Sequence, residues 1–278
     1  MTLRVNGEVM AIERYAQFHA RRFDQTLDLI RRHGGGSLIE VGGHPWAMTA
    51  RLMQEPGVDL KATVSAEEIS NWSDELPVTR NRYDMDLGDG VPRSFQNYSA
   101  NIERTAFPVE EAVDMVLACE IIEHVTRAPH AVMLNINSWL KPGGIVILTT
   151  PNGTQVENPF RVKAKMPAYR PSVYSRHNYC FIMDGLTDLV ETCGFEIVEA
   201  NFWSPYVRKG GSNLYRALYN LGPRYLKNKF AQTLCVVARK VEDRDSASRL
   251  PRCYAREAGW ERIDGADTIG DPSAIDIH

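Results

Sequence analysis

The 278-residue sequence has only five cysteines, and no two of them form a Cys-x-x-Cys pair. An odd, scattered set of thiols predicts neither a disulfide-stabilised secreted fold nor a thiolate zinc site. No apolar run approaches the ~20 residues that a membrane-spanning helix needs, and the first residues lack a basic segment followed by an apolar core. These absences predict a cytoplasmic chain without a membrane span.

An excess of basic charge is also missing. The sequence has 32 Lys and Arg against 35 Asp and Glu, a formal net charge of -3. A balance of this kind argues against nucleic acid as a partner and favours a small-molecule or carbohydrate substrate. No internal repeat is present, and a 44% hydrophobic content is that of one globular domain with a sizeable core.

The first third of the chain predicts a helix followed by a strand, a turn and a second helix. Apolar residues recur at helical spacing over residues 11–33, and Gly34 ends this N-terminal helical segment, 1–34. A short apolar run over 37–41 reaches Gly42 and Gly43, and helical spacing resumes over 47–54. A strand, a glycine turn and a helix in this order form a typical ligand-binding unit of α/β proteins.

Strands and helices continue to alternate over the domain that we delimit as 35–240. Strands are predicted at 59–64, 112–118, 145–149, 195–202 and 233–238, and helices at 129–140 and 186–193. Uniformly apolar strands alternating with helices predict an α/β fold with a mostly parallel sheet that has helices on both faces. Residues 206–230 form a predicted insertion, and the polar tail 241–278 is a candidate dimer arm, so a homo-oligomer is an open alternative.

Three chemically active side chains follow the predicted strand 112–118. Glu120, Glu123 and His124 have the spacing i, i+3, i+4, so one helical turn would place them on the same side. His177 follows the next strand, and the topology can bring it to the same edge of the sheet. Two carboxylates and two imidazoles suit a divalent ion such as Mg²⁺ or Mn²⁺. The alternative is that Glu123 and His124 only cap and pack a helix start.

The order of motifs resembles the class I S-adenosylmethionine (SAM) dependent methyltransferases. The resemblance rests on Asp114-Met-Val-Leu-Ala-Cys-Glu-Ile-Ile-Glu-His-Val125, Trp139-Leu-Lys-Pro-Gly-Gly144, Thr149-Thr-Pro-Asn152, Arg176-His177 and Cys193-Gly-Phe-Glu196. It implies a Rossmann-like sheet of seven strands whose last strand is antiparallel, with SAM bound over the first two strands.

The resemblance also implies cofactor contacts at the glycine turn. Glu40, Gly42 and Gly43 stand at the family's glycine motif, where missing side chains let the backbone approach the cofactor. The family's third glycine is absent, because the sequence continues with His44, Pro45 and Trp46.

Three further cofactor contacts are implied by position. Ser65 occupies the end of the second strand, where the family recognises the ribose. Asp86 resembles the acidic residue that caps the adenine amino group, and its alternative is a solvated loop carboxylate. Cys119 would touch adenine by position, and burial at a strand end explains it equally well.

The pattern Glu-x-x-Glu-His with a later His resembles the metal site of small-RNA 2′-O-methyltransferases, and ubiquinone-pathway and sugar O-methyltransferases contain similar pieces. It implies a metal held by Glu120, Glu123, His124 and His177, with His124, His177 and Glu120 as catalytic candidates. The predicted activity is O-methylation of a sugar or of a polyol-bearing natural product. The alternatives are metal-free N- or O-methylation of a small molecule, and a non-catalytic module that binds SAM or a partner.

Overall fold

A computed structural model describes residues 3–66, 78–102, 109–125, 129–155, 177–204, 228 and 231–244. Within these ranges the chain forms four α-helices and ten strands. The helices are α1 (Glu13–Arg32), α2 (Ala47–Leu52), α3 (Pro129–Trp139) and α4 (Met183–Thr192). The strands are β1 (Leu3–Val5), β2 (Glu8–Met10), β3 (Gly36–Val41), β4 (Val58–Ala66), β5 (Thr79–Asp86), β6 (Arg93–Ala100), β7 (Val113–Cys119), β8 (Leu140–Pro151), β9 (Phe195–Trp203) and β10 (Thr233–Lys240).

All ten strands belong to one sheet in the order β2-β1-β5-β6-β4-β3-β7-β8-β10-β9. Five neighbouring strands of the sheet, in the order β6, β4, β3, β7 and β8, run parallel to one another. Strand β10 is antiparallel to both β8 and β9. This block of seven strands is the predicted Rossmann-like methyltransferase sheet, whose last strand is antiparallel. The α/β fold class and the mostly parallel sheet are therefore confirmed.

The sheet has three more strands than the seven expected. Antiparallel strands β5, β1 and β2 extend it beyond β6. Strands β5 and β6 were not predicted. Strand β5 is mostly polar and exposed, so it lacks the apolar alternation that identifies a strand, and the apolar residues of β6, which are Phe95, Tyr98 and Ala100, do not alternate regularly. The N-terminal helical segment, 1–34, was predicted with its helix over 11–33, and the β1–β2 hairpin of residues 3–10 was not predicted.

Helix α1 spans one face of the sheet. Its apolar side buries Phe23, Leu27 and Ile30. At its C-terminal end, Arg32 Nη1 and His33 Nε2 lie 2.9 and 2.8 Å from Glu199 Oε1 on β9, the edge strand opposite β2. The N-terminal segment therefore contacts both edges of the sheet: β1 and β2 form one edge, and the C-terminal end of α1 is bound to β9 at the other.

Several predicted segments fall outside the described residues. They are the proline-rich stretch after residue 155, almost all of the predicted insertion 206–230 and the tail from residue 245. Among the described residues, no helix is both long and apolar enough to cross a membrane.

A buried lysine closes the C-terminal end of α3. The side chain of Lys240 is 5% exposed, and its Nζ donates to the carbonyl oxygens of Asn137 and Leu140, at 2.8 Å each. Carbonyl groups at the end of a helix have no partner within the helix. The lysine head group therefore satisfies two acceptors that would otherwise be buried without a donor.

Replacing Lys240 by methionine should lower the free energy of unfolding by about 2–4 kcal/mol, because two buried carbonyls lose their donor. Lys141→Met is the matched control, since Lys141 is 47% exposed and its ion pair with Asp114 lies at the surface. The control should cost less than about 1 kcal/mol. Urea denaturation of both variants measures the difference, and equal losses would show that Lys240 has no special role.

Candidate active site

The glycine turn joins β3 to α2 at the carboxyl edge of the sheet. Gly42 has a φ of +78°, and a Cβ there would lie 2.0 Å from Ile121 Cδ1. Trp46 occupies the place of the missing third glycine and adopts the left-handed conformation, with a φ of 71°. Its buried ring packs at 5.5 Å from the rings of Tyr83 and Phe95, so aromatic packing holds a backbone conformation that glycine would adopt freely.

A cavity of about 410 Å³, counted with its open mouth, lies beside this turn. Residues from α1, from the turn and from the carboxyl end of β7 line it: Tyr15, Arg22, Phe23, Thr26, Glu40, Val41, Gly42, Gly43, His44, Pro45, Ala47, Met48, Leu117 and Cys119. The cavity lies at the carboxyl ends of parallel strands, where open α/β sheets bind their ligands.

Glu40 is the buried carboxyl of this cavity. Thr49 Oγ1 donates a hydrogen bond of 2.5 Å to its Oε2. Burial raises the pKa of Glu40 to about 7, and the bond from Thr49 offsets only part of that effect. The side chain therefore changes charge near neutral pH.

The raised pKa of Glu40 predicts a pH-dependent stability. Below pH 4.5 the carboxyl is protonated in both states, and between 4.5 and about 7 only the unfolded chain loses the proton. Folding stability contributed by this group therefore falls across that window. Glu40→Gln should abolish this pH-dependent decrease, which amounts to about 3 kcal/mol in the free energy of unfolding. Denaturation of both proteins without cofactor, at pH 4.5 and pH 8, tests this, and two parallel stability curves would contradict it.

Glu120 links the cavity to α1 and β8. It has a φ of 57°, and its Oε1 accepts a hydrogen bond of 3.0 Å from Thr149 Oγ1. Its Oε2 lies 3.5 Å from Arg22 Nη1. Burial raises the pKa of Glu120, and the positive charge of Arg22 opposes this shift.

Glu123, His124 and His177 form a separate cluster just beyond β7. Each offers one ligand atom, and these atoms lie within 4.8 Å of one another. Glu123 and His124 lie in a 3₁₀ turn, Ile122–His124, and the rings of His124 and His177 are 4.6 Å apart. Thr150 Oγ1 donates to Glu123 Oε2 at 3.0 Å, which orients the carboxylate.

Hydrogen bonds hold His177 beside this turn. The backbone N–H groups of Asn178 and Tyr179 donate to the Glu123 carbonyl at 2.7 and 3.1 Å. Asn178 Nδ2 donates to the His124 carbonyl at 3.0 Å. Asn178, the residue after His177, is thus held by two hydrogen bonds. These bonds keep the His177 imidazole beside the turn.

The electrostatics of the cluster suit a cation. Burial, followed by the charge of Glu120, raises the pKa of Glu123 well above its usual range. Burial, followed by the charge of His124, lowers the pKa of His177 to about 4. Without a cation nearby, ionising the Glu123 carboxyl is therefore costly. The His177 imidazole is neutral and can present a lone pair to a cation.

The structure brings together part of the predicted site. Glu40, Gly42, Gly43 and Cys119 line the cavity, and burial raises the pKa of the Cys119 thiol to about 11. Ser65 lies at the carboxyl end of β4 and outside the cavity lining, where it accepts a bond of 3.1 Å from Asn97 Nδ2.

Two predicted placements need correction. Asp86 ends β5, which runs antiparallel to β6, and Met85 pairs with Arg93 at the amino end of β6. Asp86 therefore lies about 20 Å from the carboxyl edge, a full strand length away, and the predicted adenine contact is withdrawn. Glu120 does not share a helical turn with Glu123 and His124, because the turn begins only at Ile122, and its carboxylate bonds to Thr149 and Arg22 instead of joining the cluster.

Sequence analysis missed the α1 wall of the cavity. Tyr15, Arg22 and Thr26 have the spacing i, i+7, i+11, which places polar side chains on the same side as buried Phe23. Charged or polar residues within an apolar helical stripe are the signal that marks such a wall.

Residues 12–200 match the profile of a protein family described as "Methyltransferase domain". The chain belongs to this methyltransferase domain family. Together with the confirmed sheet topology, membership makes it a class I SAM-dependent methyltransferase. The matched range begins at residue 12 and thus takes in all of α1.

Solved structures of methyltransferases resemble this chain at low sequence identity. The Haloferax volcanii methyltransferase solved in complex with the Trm112 activator is 13% identical, has a TM-score of 0.51, and aligns over 83% of this chain and 93% of its own. The N-methyltransferase NodS from Bradyrhizobium japonicum, in complex with S-adenosylhomocysteine, is 13% identical with a TM-score of 0.46, over 81% and 88%. No curated protein matches the sequence significantly.

Proposed function

We propose that this methyltransferase transfers a methyl group from SAM to a hydroxyl group of a sugar or polyol-bearing natural product. We further propose that a divalent cation at the cluster of Glu123, His124 and His177 assists the transfer. The observation that carries the proposal is this cluster, in which three ligand atoms within 4.8 Å lie next to the buried end of β7.

The proposed place of the cofactor is the cavity beside the glycine turn. Gly42 and Gly43 bring backbone groups to the cavity lining, and Glu40 contributes a buried polar group. SAM supplies an electrophilic methyl group on a sulfonium. The task of the protein is to hold an acceptor oxygen in line with that methyl group and to exclude water.

The donor set of the cluster fits a transition-metal ion better than magnesium. One carboxylate and two imidazoles suit Mn²⁺, whereas Mg²⁺ prefers oxygen ligands throughout. Thr150 fixes one oxygen of Glu123, and the bonds from Asn178 fix the chain beside His177. A cation held there would lower the pKa of an acceptor hydroxyl.

A polyol suits a site with only three protein ligands. Such a site leaves coordination positions for substrate oxygens, and two neighbouring hydroxyls on one ring can fill them together. The side chain of His124 is 41% exposed, so the cluster is open to an incoming acceptor. Since both imidazoles would serve as ligands, the proton of the cation-bound hydroxyl group would pass to solvent at the exposed side of the cluster.

The test combines metal titration with a methyl-transfer assay. Mn²⁺ is titrated into the purified protein by calorimetry, and transfer from SAM to a panel of sugars and polyols is then measured with and without a chelator. Saturable Mn²⁺ binding and chelator-sensitive methylation of a hydroxyl would support the proposal. Transfer that is unaffected by chelation would identify a metal-free methyltransferase, and cofactor binding without turnover on any acceptor would favour a non-catalytic module.

A further inference from the structure

An unbroken series of ring contacts runs along α1. Tyr15, Phe18 and His19 have the spacing i, i+3, i+4, which places them on one side of the helix. The ring centroid of His19 lies 4.3 Å from that of Tyr15 and 4.9 Å from that of Phe18. The Phe23 ring continues the series, at 6.2 Å from Tyr15 and 6.0 Å from His19. We call these four side chains the α1 aromatic strip.

The α1 aromatic strip leads from the cavity to the surface. Phe23 and Tyr15 belong to the cavity lining, and Phe23 is only 4% exposed. Phe18, at the other end of the strip, is 65% exposed. Among the large hydrophobic side chains that are exposed in the described part of the chain, it is the only aromatic one. Scattered apolar residues are common on protein surfaces, but the Phe18 ring extends the wall of a ligand cavity.

The strip is uncharged, and one of its rings is restrained. Burial, followed by the charge of Arg22, lowers the pKa of His19 to about 4, so its imidazole is neutral at neutral pH. A neutral imidazole has one N–H donor and one lone pair. The Tyr15 hydroxyl is hydrogen-bonded to Arg22, which restrains the Tyr15 ring. The strip therefore offers ring surface without charge, which favours an apolar ring over an ionic group.

We propose that the α1 aromatic strip binds an apolar ring of the methyl acceptor. The inference rests on the proposed function, because the cavity that the strip adjoins is the proposed SAM site. Rings pack on aromatic side chains by offset stacking or by edge-to-face contact. A ring held by Phe18 and His19 places the rest of the acceptor next to Tyr15 at the cavity lining. The acceptor is then a hydroxyl-bearing molecule with an attached apolar ring rather than a free sugar.

The size of the strip favours a small molecule over a protein. A stable protein interface takes about 800 Å² from each partner. The strip exposes chiefly the Phe18 ring, while Tyr15 and His19 are half-buried and Phe23 is buried. One ring of a small ligand covers a surface of this size. The hydroxyl groups attached to that ring then lie beside the cavity, where methyl transfer is proposed.

Two substitutions separate ring recognition from loss of apolar surface. Phe18→Leu keeps an apolar side chain and a good helix former but removes the ring, and the exposed position predicts little change in folding stability. Val91→Ala is the control. Val91 is 51% exposed, lies between β5 and β6 and does not line the cavity. This substitution removes exposed apolar surface without altering the strip.

The test compares two ligands that differ only in their aglycone. Phenyl β-glucoside and methyl β-glucoside are titrated into protein saturated with S-adenosylhomocysteine, and binding is followed by saturation-transfer NMR. The wild type should bind the phenyl glucoside about 10-fold more tightly than the methyl glucoside. Phe18→Leu should reduce this preference to less than about 3-fold, and Val91→Ala should retain it. A thermal melt of each variant checks that it is folded.

The outcomes separate the inference from the proposed function. Equal affinity of the wild type for both glucosides, or an unchanged preference in folded Phe18→Leu, overturns the inference alone. If Phe18→Leu does not fold, wild-type protein with labelled phenylalanine decides: the inference requires nuclear Overhauser contacts between the phenyl glucoside and the Phe18 ring, and their absence contradicts it. If S-adenosylhomocysteine does not bind to the wild type, the proposed function fails and the inference fails with it.

Discussion

Gly42→Ala is expected to weaken binding of S-adenosylhomocysteine about 30- to 100-fold, which corresponds to ~2–3 kcal/mol. Two physical costs act at this position. A φ of +78° is strained for any residue with a Cβ, and that Cβ would lie 2.0 Å from Ile121 Cδ1. The end of the Ile121 side chain must then move. Isothermal calorimetry of the purified variant measures the loss.

Gly143→Ala is the control for backbone strain. Gly143 also has a φ of +78°, but nothing lies within 4 Å of its Cβ position. It precedes the buried part of β8, far along the strand from the carboxyl edge. Both variants should lose about 1–2 kcal/mol of folding stability from the left-handed conformation, and only Gly42→Ala should lose cofactor affinity. Equal cofactor affinities of the two variants would show that the glycine turn does not hold the ligand.

The second large effect concerns the two glutamates of the Glu-x-x-Glu-His motif. Glu123→Gln is expected to weaken Mn²⁺ binding at least about 100-fold, because the only carboxylate of the cluster is lost. Glutamine keeps the size of the side chain and can still accept the hydrogen bond from Thr150. A calorimetric titration with Mn²⁺ measures the affinity. A thermal melt of the same variant shows whether it is still folded, which separates loss of the metal-binding carboxylate from loss of folding.

Glu120→Gln is the matched comparison. Its carboxylate bonds to Thr149 and Arg22 and to no member of the cluster, so Mn²⁺ affinity should change less than about 10-fold, which is below the loss expected at a residue that bonds a metal ligand. The opposite ranking, with Glu120→Gln the more damaging of the two, would return Glu120 to the metal site and overturn the geometry proposed for the cluster. Retained affinity in both variants would remove the metal from the proposal.

Periodicity and motif order predicted the central elements well because these elements are buried. The buried parts of strands β3, β7 and β8 are mainly apolar, and a run of this kind fits few environments other than a sheet with helices on both faces. The position of Glu40, Gly42 and Gly43 at the end of β3 follows directly, since parallel strands place their carboxyl ends at one edge.

Edge elements were harder to predict because they bury little. Strand β5 is polar and exposed along most of its length, so nothing in its local pattern distinguishes it from a loop. That error misplaced Asp86, because an unrecognised antiparallel strand reverses the direction of the chain. The short strands β1 and β2 were missed for the same reason, since pairing with β5, rather than local pattern, defines this edge.

The amino-acid sequence by itself determined the fold class, the glycine turn and the presence of Glu123, His124 and His177 near one another, because hydrophobic period and strand direction fix these features. Only the tertiary structure decided the partners of each polar side chain. A left-handed residue at Glu120 turns its carboxylate to Arg22 and Thr149, and α1, distant from β7 in sequence, supplies that arginine. Such contacts depend on the packing of whole elements, which no local pattern encodes.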